Sequence, residues 1–289
     1  LGEKFIKLFN KIIFHVFFVD FALNISWIKK FPRCYPKKHI IMSKDTILFI
    51  LPLLFLSQLM GQTEVQTIEP KGAIIIAGLE GQVSVINNAT QVALPDGSVK
   101  AGGILFDGHT VKTGPASKII LLLSNGTVTT VKGDSALNIK KFTQAKFDPG
   151  AKKLSELEGE PSSSDTLIDL EIGDMVVDIK KLDKKSSFNI ESPVGTAGIR
   201  GTIVDLKVQP APGGGFTGGL TVPRGLVSFS LPATAGLPPT APVAVAAGQT
   251  ISPVVSSTGA ITTPVVAVEA PAAQLESITA DVEASGEST

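Results

Sequence analysis

The side chains that could support catalysis are few in this 289-residue chain. Beyond Met42 there is one histidine, His109, which lies in a Gly-His-Thr segment next to Asp107. A Ser-His-Asp triad would need this histidine as its base, but the chain has no Gly-x-Ser-x-Gly nucleophile turn. Ser117 and Ser124 occupy positions typical of strand edges. We therefore expect no catalytic residue and interpret the protein as non-enzymatic.

Metal and phosphate chemistry is equally sparse. Zinc sites need several Cys, His or carboxylate ligands, and the chain beyond Met42 has one His and no Cys. The triplet Gly213-Gly214-Gly215 lacks the Lys-Ser/Thr that follows a phosphate-binding loop, so we interpret it as a flexible loop. Calcium binding stays open at one acidic cluster, although its interspersed Leu and Ile favour a solvated face of a strand; the cluster comprises Asp165, Asp169, Glu171, Asp174 and Asp178. We expect no cofactor and no metal.

Charge divides the chain into two unequal parts. Residues 1–41 carry eight Lys or Arg against Glu3 and Asp20, whereas from Gln62 onward 17 Lys and Arg face 23 Asp and Glu, a difference of −6. An acidic domain is a poor match for a phosphate backbone. Nucleic acid is therefore not an expected partner.

The region around Met42 has the layout of a secretory signal. The apolar run from Thr46 to Met60 is about 15 residues, too short to span a bilayer core comfortably. We predict a signal peptide over 42–61 and, because Leu1 is not Met, a non-native N-terminal extension over 1–41. A membrane segment over 5–28 is the alternative. The predicted product is exported to the periplasm or cell surface, with no stable membrane span in the mature chain.

Short aliphatic or β-branched runs separated by Gly, Asn, Asp and Pro follow from Ala73 onward. Such runs predict strands joined by turns. Asp96-Gly97 and Asn125-Gly126 favour tight hairpins, since these residues tolerate positive φ. The expected fold is all-β with low helix content, either an antiparallel sandwich or a β-solenoid-like domain with short hairpins.

Two segments differ from this pattern. Residues 147–165 are polar and are predicted to form an exposed loop with at most one helical turn. After Leu231 the composition shifts to Pro, Ala, Thr, Val and Gly, and the only charges from 253 to 289 are acidic. We interpret 253–289 as a weakly ordered acidic tail.

The segment from Ser187 to Val208 resembles the signature of the FecR-type (ferric-citrate regulator) periplasmic sensor domain. In that family a strand ending in Thr or Ser-Pro leads through a small-residue turn into an Arg-Gly-Thr step. The matching residues here are Pro193, Gly195, Gly198, Arg200, Gly201 and Thr202. Further resemblances at 108–117, 224–227 and 246–249 extend the predicted FecR-like β domain over 73–252.

The glycines of this signature are expected to serve the backbone, with ligand contact as the alternative. Arg200 lies between Ile199 and Gly201 and must either reach solvent or meet a carboxylate such as Glu191 or Asp205. A structural ion pair is favoured, with ligand contact as the alternative.

The resemblance implies a binding or signalling module, because family members relay signals from an outer-membrane receptor to an extracytoplasmic-function sigma factor. A start at Met42 would leave no cytoplasmic segment for that relay. We therefore expect a stand-alone exported module of the bacterial cell envelope that binds a protein or glycan partner through a sheet edge or the loop near Gly213. The alternative is a structural or adhesion-type surface protein.

Overall fold

The computed structural model describes residues 70–148, 153–154, 157–232, 241–262 and 264–289. The predicted extension (1–41), signal peptide (42–61) and alternative membrane segment (5–28) lie outside these residues, so these assignments stay predictions. Among the described residues, no helix has the length and apolar character needed to cross a bilayer.

Alternating apolar residues build strands along almost the whole described chain. The strands of its first half are β1 (Ile74–Glu80), β2 (Val83–Asn87), β3 (Val92–Ala93), β4 (Ile104–Leu105), β5 (His109–Thr113), β6 (Lys118–Leu123), β7 (Val128–Val131), β8 (Ala136–Gln144) and β9 (Ser164–Asp178). Those of its second half are β10 (Ser187–Ser192), β11 (Gly195–Ile199), β12 (Ile203–Pro210), β13 (Phe216–Arg224), β14 (Leu226–Ser230), β15 (Val243–Ala246), β16 (Gln249–Ile251), β17 (Val254–Val255) and β18 (Val268–Glu269).

These strands form two sheets. The front sheet has the order β3-β2-β5-β8-β9-β10-β11-β14-β15. The back sheet has the order β4-β1-β6-β7-β9-β12-β13-β16-β18, and β17 also pairs with β13. The predicted all-β fold is confirmed. Its strand pairs are antiparallel except for β9 and β10, which run parallel.

Strand β9 belongs to both sheets because it bends at Gly173. Residues up to Ile172 pair with β8 in the front sheet, whereas Gly173 to Asp178 pair with β12 in the back sheet. Gly173 has a φ of +107°, and a Cβ atom there would lie 2.5 Å from Cα of Ser135. Only glycine fits so close an approach at positive φ.

The core lies between the two sheets. Inward-facing residues of the front sheet, such as Val85 and Leu137, share one buried apolar cluster with Ile76, Leu121 and Val131 of the back sheet. The outward-facing residues of the front-sheet strands β2 and β8 are mostly polar, whereas β6 of the back sheet also has apolar residues on its outer face, Ile120 and Leu122. Burial of one continuous apolar cluster is the dominant stabilising contribution to such a fold.

The two predicted hairpins have different outcomes. Asn125-Gly126 forms the tight turn between β6 and β7, with Gly126 at a φ of +85°. Asp96-Gly97 instead begins a short 3₁₀ turn, Asp96–Ser98, within a longer connection between β3 and β4. The Gly103 N–H bonds back to the Lys100 carbonyl in this connection, which therefore closes through several local bonds and not through a two-residue hairpin.

The segment predicted as an exposed loop, 147–165, is anchored at its described end. Strand β9 already begins at Ser164, which is buried, and Glu160 accepts hydrogen bonds from the Ser186 hydroxyl (2.5 Å) and the Asp183 N–H (2.9 Å). Leu154 packs against the outward-facing Ile120 and Leu122 of β6. This part of the loop thus covers the outer face of the back sheet.

Residues 253–289, expected to be weakly ordered, contain β17, β18 and one α-helix, α1 (Ala272–Gly286). Helix α1 has no side-chain hydrogen bond at its N-terminus and no basic residue in its last turn. A helix of this length is marginal in water without tertiary contacts. Its contacts with the back sheet therefore account for its presence.

Candidate functional site

The residues of the Arg-Gly-Thr step form a crossing between the two sheets. Arg200, Gly201 and Thr202 join β11 of the front sheet to β12 of the back sheet. Gly201 has a φ of +108°, and a Cβ atom there would lie 3.1 Å from Cα of Lys181. Thr202 is buried, and its carbonyl accepts a bond from the Ile179 N–H at 2.9 Å. Gly201 and Thr202 therefore have a structural role: they allow the backbone to cross from one sheet to the other.

The Ser-Pro-Val-Gly turn has a comparable structural role. Pro193 and Val194 connect β10 to β11, and the Ser192 hydroxyl donates to the Gly195 carbonyl at 2.7 Å. Val194 is fully buried, while a Cβ atom on Gly195 would lie 2.5 Å from the ring of Phe229. The turn thus holds the β10–β11 hairpin tightly against the core.

The β10–β11 hairpin and its neighbours leave a groove on the outer face of the front sheet. Asn189, Gly198, Ser228 and Ala244 lie side by side across β10, β11, β14 and β15 and form its floor. Their small size creates a groove of about 630 Å³. Gly198 has no positive φ, and a Cβ atom there would meet only Asn189 Oδ1 at 3.4 Å and the Ser228 carbonyl at 3.7 Å. We call this feature the motif groove.

The motif groove has the chemistry of a binding surface. Its lining combines hydroxyl and amide groups with Arg200, contains no carboxylate, and includes Leu226, which is 59% exposed. Arg200 is exposed at the edge and donates to the carbonyls of Lys184 and Ser186 at 3.3 and 3.5 Å. Long bonds of this kind leave its guanidinium available to an incoming acceptor.

The expected ion pair of Arg200 does not form. Glu191 instead binds Lys140, with 2.8 Å between Oε2 and Nζ, and Asp205 lies on the outer face of the back sheet near two lysines. Arg200 belongs to the sheet crossing, whereas these carboxylates project from strand faces. The prediction of an ion pair from closeness in the sequence was therefore wrong.

The residues considered for catalysis do not form a triad. His109 Nδ1 lies 3.1 Å from the carbonyl of Phe106, and Asp107 binds Lys71 at 2.6 Å. The Ser117 hydroxyl contacts the backbone of Gln82, and that of Ser124 contacts Gln144. The absence of an enzymatic activity stays a prediction.

Most acidic residues of β9 are matched by basic residues on neighbouring strands. Asp165 binds Lys141, Asp169 binds Lys140 and Asp178 binds Arg224. Burial raises the pKa of Asp165, but its bonds with Lys141 and Ser187 outweigh that effect and lower it overall. Within the described ranges, no group of three His, Cys, Asp or Glu is arranged to hold a metal ion.

A second polar site, absent from the sequence analysis, lies on the back sheet beneath α1. Asp205 is 1% exposed, and its Oδ1 atom has no hydrogen-bond donor. Burial, together with the neighbouring carboxylate of Asp174, raises the pKa of Asp205 to about 7, although Lys207 and Lys132 oppose this shift. No sequence pattern brings α1 to this strand, so the site could be found only from the tertiary structure.

Comparison with known proteins identifies the domain. Residues 109–214 match the family described as FecR protein, a segment that runs from β5 to the loop after β12 and includes the turn and the sheet crossing. This chain therefore carries a FecR domain, as the sequence signature predicts.

Two crystal structures of a candidate anti-sigma factor from Parabacteroides distasonis are similar to this chain, each with 11% identity and a TM-score of 0.39. The alignment covers 58% of this chain and 62% of theirs, so it spans less than two thirds of those proteins. No curated protein matches the chain.

Proposed function

We propose that this protein is an exported FecR-domain module of the bacterial cell envelope that binds a protein or glycan partner and takes part in signalling without catalysing a reaction. The observation that carries the proposal is the FecR match over residues 109–214, which includes Asn189, Gly198 and Arg200 of the motif groove. The family resemblance links such domains to signal relay between an outer-membrane receptor and a sigma factor.

The groove supports binding through its shape and its position. It is an open depression lined by hydroxyl and amide groups beside an exposed Leu226, a mixture that suits a partner surface. Strand β15 borders it and pairs with β14 in the front sheet. A partner strand added beside β15 would extend this sheet, and its side chains would line one border of the groove.

A glycine pair offers a matched test of this proposal. Gly198→Val places a side chain in the groove without backbone strain, because Gly198 has ordinary φ and a Cβ atom there would make only ordinary van der Waals contacts. Gly219→Val makes the same change on the outer face of the back sheet, where a Cβ atom would meet only the Ile251 carbonyl at 3.9 Å.

The experiment compares a gene deletion in the source bacterium with restored wild-type, Gly198→Val and Gly219→Val genes. We expect a processed protein beginning near Gln62 in envelope fractions. We also expect a change in sigma-factor-dependent transcripts on deletion, restored by wild type and Gly219→Val but not by Gly198→Val. Unchanged transcripts with a loss of surface attachment would favour the adhesion-type alternative, and a cytoplasmic, unprocessed protein would refute export.

A further inference from the structure

Helix α1 covers three rows of side chains on the outer face of the back sheet. The pairing register of β7, β9, β12 and β13 places side chains in three rows that run across these strands. One outer row ends in Arg224, the other outer row begins at Lys132, and a central row lies between them. The central row consists of Thr130, Val176, Asp205 and Thr221. This row holds an ionisable group where a sandwich covered by a helix would ordinarily place apolar residues.

One face of α1 meets these rows. Ile278 is buried and packs with Val176 and Ile203, while the Gln274 side chain donates to the Thr221 hydroxyl at 2.8 Å. One turn further on, Asp281 Oδ2 lies 2.8 Å from Lys132 Nζ. Residues spaced by three and four positions share a helix face, so a single face of α1 surrounds the central row.

The charges beneath α1 balance only when Asp205 is neutral. Lys132 contacts Asp174, Asp205 and Asp281 at 3.6, 3.9 and 2.8 Å, and Lys207 contacts Asp174 and Asp205 at 3.3 and 3.8 Å. Two lysines thus face three carboxyl groups. A proton on Asp205 leaves two positive and two negative charges, whereas its loss leaves one negative charge uncompensated in a buried site.

Departure of α1 reverses this balance. Removing the helix takes away Asp281, so Lys132 and Lys207 then match Asp174 and an ionised, hydrated Asp205. The Oδ1 atoms of Asp174 and Asp205 are buried and have no hydrogen-bond donor, and a proton on Asp205 would let its carboxyl group donate to the neighbouring Asp174. The docked helix and the proton therefore favour one another.

We propose that α1 is a releasable cover of the back sheet, and that its docking takes up one proton on Asp205. The groups that face Asp205 are Asp174 from β9, Lys132 after β7, Lys207 from β12, Thr221 from β13 and Asp281 from α1. Release uncovers a surface bearing Val176 and Ile203 next to these charges.

The direction of the pH dependence follows from the pKa of Asp205. Its value of about 7 in the docked state lies above the ordinary 3.8 that exposure would restore. A group whose pKa is raised by docking favours docking fully at low pH. That contribution to docking is lost as the pH rises from about 4 to about 7, and the docking constant falls by about tenfold per pH unit over this range. Above this range the docking constant no longer changes with pH.

Hydrogen–deuterium exchange of the full chain tests this linkage. After correction for intrinsic exchange rates, we expect the protection of α1 amides to fall by about tenfold between about pH 5.5 and about pH 6.5, and to level off near pH 7.5. The protection of β8 amides, in the core of the front sheet, should not show this pH-dependent fall. Equal losses in α1 and β8 would mean global unfolding and would overturn the proposal, as would an α1 protection that is independent of pH.

Two Asp→Asn substitutions, one beneath α1 and one on the front sheet, test whether Asp205 causes the pH dependence of α1 docking. Asp205→Asn keeps a neutral hydrogen-bonding group in place, so α1 protection should become independent of pH. Asp169→Asn, which removes a surface partner of Lys140, should keep the wild-type profile. Retention of the wild-type slope in Asp205→Asn contradicts the proposal, and if this variant does not fold, the wild-type comparison of α1 with β8 decides.

Discussion

Gly201 and Gly225 approach one another where the chain crosses between the two sheets in opposite directions. Gly201 lies between β11 and β12 and Gly225 between β13 and β14, and a Cβ atom on Gly225 would lie 3.1 Å from the Gly201 carbonyl oxygen. Their φ angles are +108° and +94°. The side chain of Thr202 fills the remaining space against Gly225. The Arg-Gly-Thr signature thus describes one half of a double crossing.

Gly225→Ala should therefore destabilise the domain strongly. Left-handed φ costs a non-glycine residue about 1–2 kcal/mol, and contact with Thr202 adds overpacking of about 1–3 kcal/mol. We expect the free energy of unfolding in urea to fall by about 2–5 kcal/mol. Gly219→Ala, at ordinary φ and with a single ordinary contact to the Ile251 carbonyl at 3.9 Å, should change it little. Similar losses in both variants would contradict the crossing argument.

Asn125 is expected to be essential to the β6–β7 hairpin. It is fully buried, its Oδ1 accepts the Thr127 N–H at 3.1 Å, and its Nδ2 donates to the Ser164 hydroxyl at 3.1 Å. Asn125→Ala leaves a buried N–H without an acceptor, which costs about 1–3 kcal/mol. Urea denaturation checks this loss; Asn87→Ala, at an exposed turn with similar local bonds, should cost less.

The sequence predicted the features that depend on local chemistry. Asn125-Gly126 marks a turn because both residues tolerate unusual backbone angles. The Arg-Gly-Thr step indicates a glycine needed by the backbone, but that it crosses between two sheets is seen only in the structure. The partner of Arg200 could not be predicted, since Glu191 and Asp205 project from different sheet faces. Helix α1 was missed because its formation depends on Val176, Ile203 and Lys132, residues far away in sequence.

Two glycines of β11 should respond in opposite ways to the same substitution. Gly198 faces the motif groove at ordinary φ, so Gly198→Val should leave stability unchanged or raise it by up to about 1 kcal/mol, as expected when glycine is replaced within a strand. Gly195→Val, at a φ of +148° and against Phe229, should lose more than about 2 kcal/mol. Thermal and urea unfolding measure both, and a destabilised Gly198→Val would remove it as a probe of the groove.

Lys132 should stabilise the domain by an amount that depends on pH. Burial lowers its pKa, but the bond with Asp281 and the charges of Asp174 and Asp205 outweigh burial and raise it overall, so it stays charged. Lys132→Met leaves Lys207 to face three carboxyl groups, and we expect a loss of about 1–3 kcal/mol after allowance for its partial exposure.

The loss caused by Lys132→Met should be smaller at about pH 6 than at about pH 8, because Asp205 takes up a proton in the acidic range and removes one unpaired charge. Urea denaturation at the two pH values measures this difference directly. Lys118→Met, which removes an exposed partner of Glu80, should cost less than about 0.5 kcal/mol at either pH. Equal losses for Lys132→Met at both pH values would mean that Asp205 does not titrate between them. If the charge of Asp205 were the same at both pH values, removal of Lys132 would cost the same free energy of unfolding at both.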